Sequence, residues 1–393
     1  MSEGHGPLGQ YLMAHPPTLR LVAALLMAAG TPGCTQLPAT ADRAASASTS
    51  DVIARSTWTA PAILVPTPLE SPRDPRPSPT PTLPAGVSLP RSVAITVNNI
   101  GSLRAILDLE QQANGVAWAP DGSSIALATS NWIHLLSVPS LEPLAMLVLK
   151  DETVIDTSFR SVAFHPGGDR VAAVGGYLQQ WSLPDESPYG QYVSAGSPIT
   201  TVDFSPDGSL IAFGFDSGAF VAPSDYSSAQ TILRPGEFNY FVPALAFSPS
   251  APQLASVSDD GHIRIWDVTT GQQLAELGSA SGVDVAFSPG GSSIVSGGRG
   301  PITLWNPSEG ASKWESPIPA GLFIDAVEFD PGGSILAAAL SDGTVLFLDV
   351  LDGSRLHELA VTGTPSSLVF HPDGTYLAVV GAAGEVRILA IAD

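Results

Sequence analysis

Cysteine is almost missing from this chain: Cys34 is its single copy in 393 residues. No internal disulfide framework and no cysteine-based metal cluster can be built from it. Charge is scarce as well, and mostly of one sign. Only 13% of the residues are Asp, Glu, Lys or Arg, with 16 basic side chains against 37 acidic ones. Residues 92–393 hold 10 of the basic and 32 of the acidic side chains, a balance of −22, whereas residues 1–91 hold 6 and 5. A body so acidic repels phosphate backbones and anionic lipid headgroups, so nucleic acid is not an expected partner and basic proteins or cations are favoured. Catalytic signatures are missing too. There is no Gly-x-Ser-x-Gly elbow, no Gly-rich phosphate loop and no His-x-x-x-His pair, so no cofactor, no metal and no enzyme activity are expected.

The N-terminus also lacks a run long enough to span a membrane. Arg20 precedes a short apolar stretch over 21–29, followed by small residues and Cys34. A spanning helix needs roughly twenty apolar residues, whereas a run of this length fits the core of a secretory signal. Translation from Met13 instead of Met1 gives that signal an ordinary leading segment. Gly33-Cys34 resembles a bacterial lipoprotein processing site, which implies acylation of Cys34, an extracytoplasmic location and membrane attachment through the lipid. Thr31-Pro32 is unusual before such a site, and simple secretion, with Cys34 an incidental small residue, is the alternative. Residues 35–91 are rich in Ala, Ser, Thr and Pro and carry no apolar periodicity. They read as a tether about 40 Å long if flexible and up to about 170 Å if extended.

From residue 92 onward the composition changes and a repeat emerges. Aligned on one aromatic, Trp118, Phe164, Phe204, Phe247, Phe287, Phe329 and Phe370 follow one another at intervals of 46, 40, 43, 40, 42 and 41 residues. Six of the seven are followed by a Pro-Asp-Gly or Pro-Gly-Gly turn, such as Ser205-Pro-Asp-Gly208; the 247 unit has Pro249-Ser-Ala-Pro252 instead. Pro sets φ at the second position of such a turn and Gly tolerates the positive φ that closes it. In the stretch 245–267 the unit reads as three short strands, with Ser258-Asp-Asp-Gly261 as a hairpin turn. A unit this small cannot bury both faces alone, so neighbouring copies must cover it.

Ile265-Trp266-Asp267 matches the motif that names the WD-repeat family, and with seven units of about forty residues the chain resembles a WD-repeat β-propeller. The resemblance implies an all-β fold of seven four-stranded antiparallel blades. The signature residues here are Trp181, Trp266, Asp267 and Trp305 on third strands, with Pro223 at the corresponding place in the third unit. Asp260 and Asp342 stand where the family places its network Asp. No unit has the Gly-His pair that begins the family's His–Asp–Ser–Trp network, so apolar packing must hold the blades. The last unit has no fourth strand of its own. Residues 103–109 resemble the fourth strand Gln272–Leu277 and are expected to close the ring, leaving no free sheet edge.

In such a ring the turns between second and third strands and the links between blades share one face. Trp132, Tyr177, Asp260 and Arg299 fall in or beside the turns, and Tyr240, Phe241 and Phe323 in the links, which makes them candidates for binding a protein partner. The plainer alternative is that the aromatics cap the sheets. The stretch 182–195 falls on the opposite face. His165 and His371 share a repeat position that other units fill with Ala119, Ser205, Ser248, Ser288 or Asp330, and they read as turn residues. The expected function is a monomeric, non-catalytic interaction scaffold. A propeller hydrolase or lactonase acting in the central channel is the competing class, and a periplasmic translocation-accessory propeller is a third reading.

Overall fold

Seven antiparallel sheets form in this chain because each unit's second and third strands are rich in apolar residues that only neighbours on both sides can cover. The structure, a computed structural model, describes residues 87–393 except 110–111, 149–157, 184, 194–197, 217, 228–230, 234–240, 280 and 393. Cys34, the apolar stretch 21–29, Tyr240 and the expected tether up to residue 86 therefore lie outside the described residues. Six sheets take their four strands in sequence order, at 113–148, 161–193, 199–233, 244–279, 281–316 and 324–360. We number these blades 1 to 6. Blade 7 contains Pro365–Phe370, Tyr376–Gly381 and Val386–Ala392.

Its fourth strand comes from the far end of the fold. Arg104–Leu109 pairs antiparallel with Val386–Ala392, from Arg104 opposite Ala390 to Leu109 opposite Val386. The expected closure by 103–109 is therefore observed. Ser92–Val93 adds a short second pairing, with Ala392 and Ile391. First strands of successive blades contact one another all the way round, including blade 7 against blade 1. At that seam Trp118 donates its indole N–H to Val369 O (2.9 Å) and packs edge-on against His371, ring centres 4.9 Å apart.

The apolar clusters sit between blades rather than within them. One joins blades 6 and 7 through Ile335, Phe347, Phe370 and Leu389, and another joins blades 7 and 1 through Val380, Ile388, Ile125 and Leu136. Each buried Leu, Ile or Phe side chain contributes about 1.5–3 kcal/mol, so every blade depends on both neighbours for its core.

The Pro-Asp-Gly and Pro-Gly-Gly turns close as expected. The amide of Gly122 donates to Ala119 O, that of Gly208 to Ser205 O and that of Gly374 to His371 O, with φ of 71°, 71° and 75° at the three glycines. Blade 4 closes differently, Gln253 N donating to Ala251 O. Residues 89–95 run along the ends of the ring that carry these turns. The amide of Leu89 donates to Pro139 O, Tyr376 Oη donates to Pro90 O (2.7 Å) and Ile95 N donates to Gly374 O. The chain thus enters on the face opposite the turns between second and third strands.

Candidate functional site

Two regions concentrate side chains that could act on another molecule: the face carrying the second-to-third-strand turns, and the central channel. On the face, links and turns are tied blade by blade. Phe241 N donates to Asp259 Oδ1 (3.2 Å) and Asp259 N to Phe241 O; Phe323 N donates to Ser341 Oγ (3.1 Å) and Ser341 N to Phe323 O. These bonds fix both aromatics by their backbones and leave their rings at the surface, Phe241 at 37% exposure and Phe323 half-buried. Arg299 is exposed at the end of Ile294–Arg299, and its guanidinium lies 4.5 Å from the centre of the Phe323 ring. Trp132 is half-buried at the start of Trp132–Ser137. Tyr177, by contrast, is buried against Phe159. Asp260 is shielded by Arg264, which donates two hydrogen bonds to it at 3.1 and 2.5 Å, and it also accepts from His262 N. Those bonds and the adjoining positive charge outweigh burial and hold the Asp260 carboxyl below the usual range.

The WD-type residues act within the blades. Trp266 donates to Ser256 Oγ (2.8 Å) and Trp305 to Ser296 Oγ (2.9 Å), which preserves the Ser–Trp half of the family's network in blades 4 and 5. In blade 2 the residue in the place of that serine is Ala173, and the N–H of Trp181 turns to Val148 O in blade 1 (3.4 Å). Asp267 caps its own turn by accepting from Thr269 N and Thr270 N, and Asp342 accepts from Thr344 N. Pairing corrects one alignment. Ile211 lies opposite Ala222, as Leu254 lies opposite Trp266, so Ala222 and not Pro223 stands in the tryptophan position of blade 3. His165 and His371 are turn residues as expected, and each also reaches the next blade, Nε2 lying 3.1 Å from Gly208 O and Gly122 O respectively. Of the stretch 182–195, Pro188–Val193 is the fourth strand of blade 2, and Leu183 and Asp185 are turn residues before it.

Sequence reasoning missed the channel. Asp203 and Glu328 each precede the marker aromatic of their first strand, where the other blades carry Ala117, Ala163, Ala246, Ala286 and Val369; that substitution was the available signal. Asp284 lies three residues before Phe287. Asp203 accepts from Phe247 N (3.0 Å) and Asp284 from Val327 N (2.8 Å), each tying its first strand to that of the next blade. Burial outweighs these bonds and raises both carboxyls to about 6. Glu328 is raised to about 8, first by burial and then by the charges of Asp284 and Asp203. Asp203 is in blade 3 and Glu328 in blade 6, so their mutual repulsion acts across the ring axis. Among the described residues, no three His, Cys, Asp or Glu side chains converge as a metal-ligand set.

At the other end of the first strands the pairing skips one residue in five blades, leaving Asn114, Thr200, Val283, Asp325 and Ser366 as bulges. Asn114 Nδ2 donates to Phe159 O (2.7 Å) and Thr200 Oγ1 to Val242 O (2.6 Å), both in the link leading to the next blade. Asp325 puts a carboxyl in this place; its buried Oδ2 has no partner, and burial raises its pKa.

Residues 232–267 match the family described as WD domain, G-beta repeat, and residues 259–393 match the one described as outer membrane protein assembly factor BamB. The resemblance is to repeat propellers. Periodic tryptophan protein 2 of Saccharomyces cerevisiae is 32% identical over 120 residues, 30% of this chain and 13% of that protein. WD repeat-containing protein 90 of Xenopus tropicalis is 29% identical over 224 residues, 55% and 10% of the two chains. SEC12-like protein 2 of Arabidopsis thaliana is 27% identical over 206 residues, 48% and 50%. The chain thus spans half or less of the length of these relatives. Together the matches and the seven blades show a likeness to repeat propellers of the WD type.

Proposed function

We propose that the protein is a non-catalytic WD-repeat scaffold that presents one face of its ring to a protein partner while held outside a bacterial membrane by a lipid on Cys34. The observation that carries this reading is the opposition of two features. The chain enters along the face of the Pro-Asp-Gly turns, whereas Phe241, Phe323 and Arg299 are displayed on the other face. The described entry at residues 87–95 therefore leaves the aromatic face uncovered. The net charge of the ring draws basic partners and repels nucleic acid.

Asp203, Asp284 and Glu328 are the convergent titratable cluster that a hydrolase or lactonase in the channel would need. Two of the three are engaged in binding the next blade's backbone, which supports the scaffold as the first reading. The match of residues 259–393 to the BamB family supports, as a second reading, an accessory propeller of an envelope assembly machine. Crosslinking in intact cells, comparing the natural chain with Cys34→Ala, tests the scaffold: a partner captured by the natural chain and lost or reduced in the variant is expected. Incorporation of a labelled fatty acid tests the anchor, and a mature protein without an acyl chain removes it.

A further inference from the structure

The stacked pair on blades 5 and 6 borders a groove. Its volume is about 430 Å³, and its lining includes Pro301, Pro317, Ile318, Leu322 and Glu315. Pro301 follows Arg299 by two residues and Leu322 directly precedes Phe323, so the cation lies beside an apolar trough. Prolines have no N–H to offer and hold the wall in a fixed shape.

Arg299 differs from several of the other cations of the ring. Arg264 is bonded to Asp260, Arg387 to Asp108, Arg170 to Ser224, Lys313 to Ser293 Oγ and Arg355 to Pro317 O. Arg299 makes no side-chain hydrogen bond or ion pair among the described residues and is held only by the face of Phe323. The ring is not a hydrogen-bond acceptor of the ordinary kind, so the N–H groups of the guanidinium remain without an oxygen partner among the described residues. The flanking glycines, Gly298 at φ 152° and Gly300 at φ 132°, set a backbone path that other residues rarely adopt. The arginine is therefore presented in place before any partner arrives, with the geometry that suits a carboxylate accepting two parallel hydrogen bonds.

Resting on the scaffold reading above, we propose that this surface docks an extended segment of a partner protein, with an aliphatic side chain in the Pro301–Ile318–Leu322 groove and a neighbouring carboxylate on Arg299. Glu315 in the same lining favours an N–H donor or a lysine elsewhere in that segment. The two levels of charge then act in turn: the acidic ring steers a partner of positive overall charge, and Arg299 selects which of its segments settles.

The test selects peptides from a random displayed library against the full chain and measures binding of the recovered peptides to natural, Arg299→Gln, Arg299→Lys and Ile318→Asp proteins. Circular dichroism and melting of each variant verify the fold; Arg299→Gln and Arg299→Lys alter only an exposed side chain. The expected result is a set of peptides sharing Asp, Glu or a free C-terminus beside Leu, Ile or Val. They lose about tenfold in affinity with Arg299→Gln and less with Arg299→Lys, and Ile318→Asp also weakens them. Peptides without a carboxylate, wholly basic peptides, or peptides that bind Arg299→Gln as well as the natural chain overturn the inference while leaving a scaffold with another docking surface. Recovery of no binding peptide overturns the inference and removes support for the scaffold as well.

Discussion

Glu328 should make the ring lose stability as the solution turns from mildly acidic to mildly alkaline. Its carboxyl has an ordinary value of 4.5 and is raised to about 8 by burial and by Asp284 and Asp203. Between these two values the folded protein holds a proton that the unfolded chain releases, so stability declines with rising pH and the loss is complete above about 8. At about 1.4 kcal/mol per tenfold change the full span corresponds to about 5 kcal/mol, an upper bound. Glu328 is not sealed from solvent, and water reaching it screens the repulsion, so about 1–3 kcal/mol is expected. For a ring of this size that lowers Tm by about 2–6 °C. Other acidic groups contribute to the same slope, which makes the comparison between variants decisive. Glu328→Gln keeps the shape of the side chain and removes the ionisation; melting at pH 5, 6.5 and 8 should show it equal to the natural chain at pH 5 and more stable at pH 8. Glu315→Gln removes an equal charge from the exposed groove and should leave the natural slope almost intact. Parallel pH profiles for the natural chain and Glu328→Gln would refute the channel repulsion.

Asp325→Asn gives its bulge the donor that Asn114 uses, and should raise Tm at pH 7 by about 2 °C, equivalent to about 1 kcal/mol for one new buried bond; an unchanged or lower melting point counts against the repeat logic. Trp266→Phe strands Ser256 Oγ in the core and should cost about 1–3 kcal/mol, much of it recovered in the double variant with Ser256→Ala, as a denaturant titration of all four proteins would reveal. Gly208→Ala forces a Cβ to within 2.2 Å of the His165 ring at a φ of 71°, so a loss of about 2 kcal/mol or more is expected. His165→Ala should recover only the steric part of that loss, and complete recovery would mean that the backbone is unstrained there.

The fold was legible because it is written in period and punctuation. Seven aromatics at nearly even spacing and six near-identical turns determine the blade number, and the likeness of 103–109 to 272–277 identifies the closing strand. Register was less legible: the shift from Pro223 to Ala222 is one residue, and only backbone pairing reveals it. The channel carboxylates escaped because Asp203, Asp284 and Glu328 lie 44 to 125 residues apart, and only curvature of the closed ring brings them together. Of the candidate binding face, position was legible and exposure was not. Tyr177 and Asp260 stand in the right turns, yet Phe159 and Arg264 cover them; Phe159 comes from the link before the blade, whereas Arg264, four residues from Asp260, was a local signal that sequence reasoning passed over.

Blade 7 is stitched from two ends of the polypeptide, with the Asp108 carboxylate bound to the Arg387 guanidinium across 279 positions of chain. This sheet therefore cannot exist until both segments have come together. Until Val386–Ala392 pairs, Arg104–Leu109 has no partner and the ring is an open arc with exposed edges at both flanks. Strand exchange with another copy is the natural hazard of that interval, and its danger grows with the time the arc stays open.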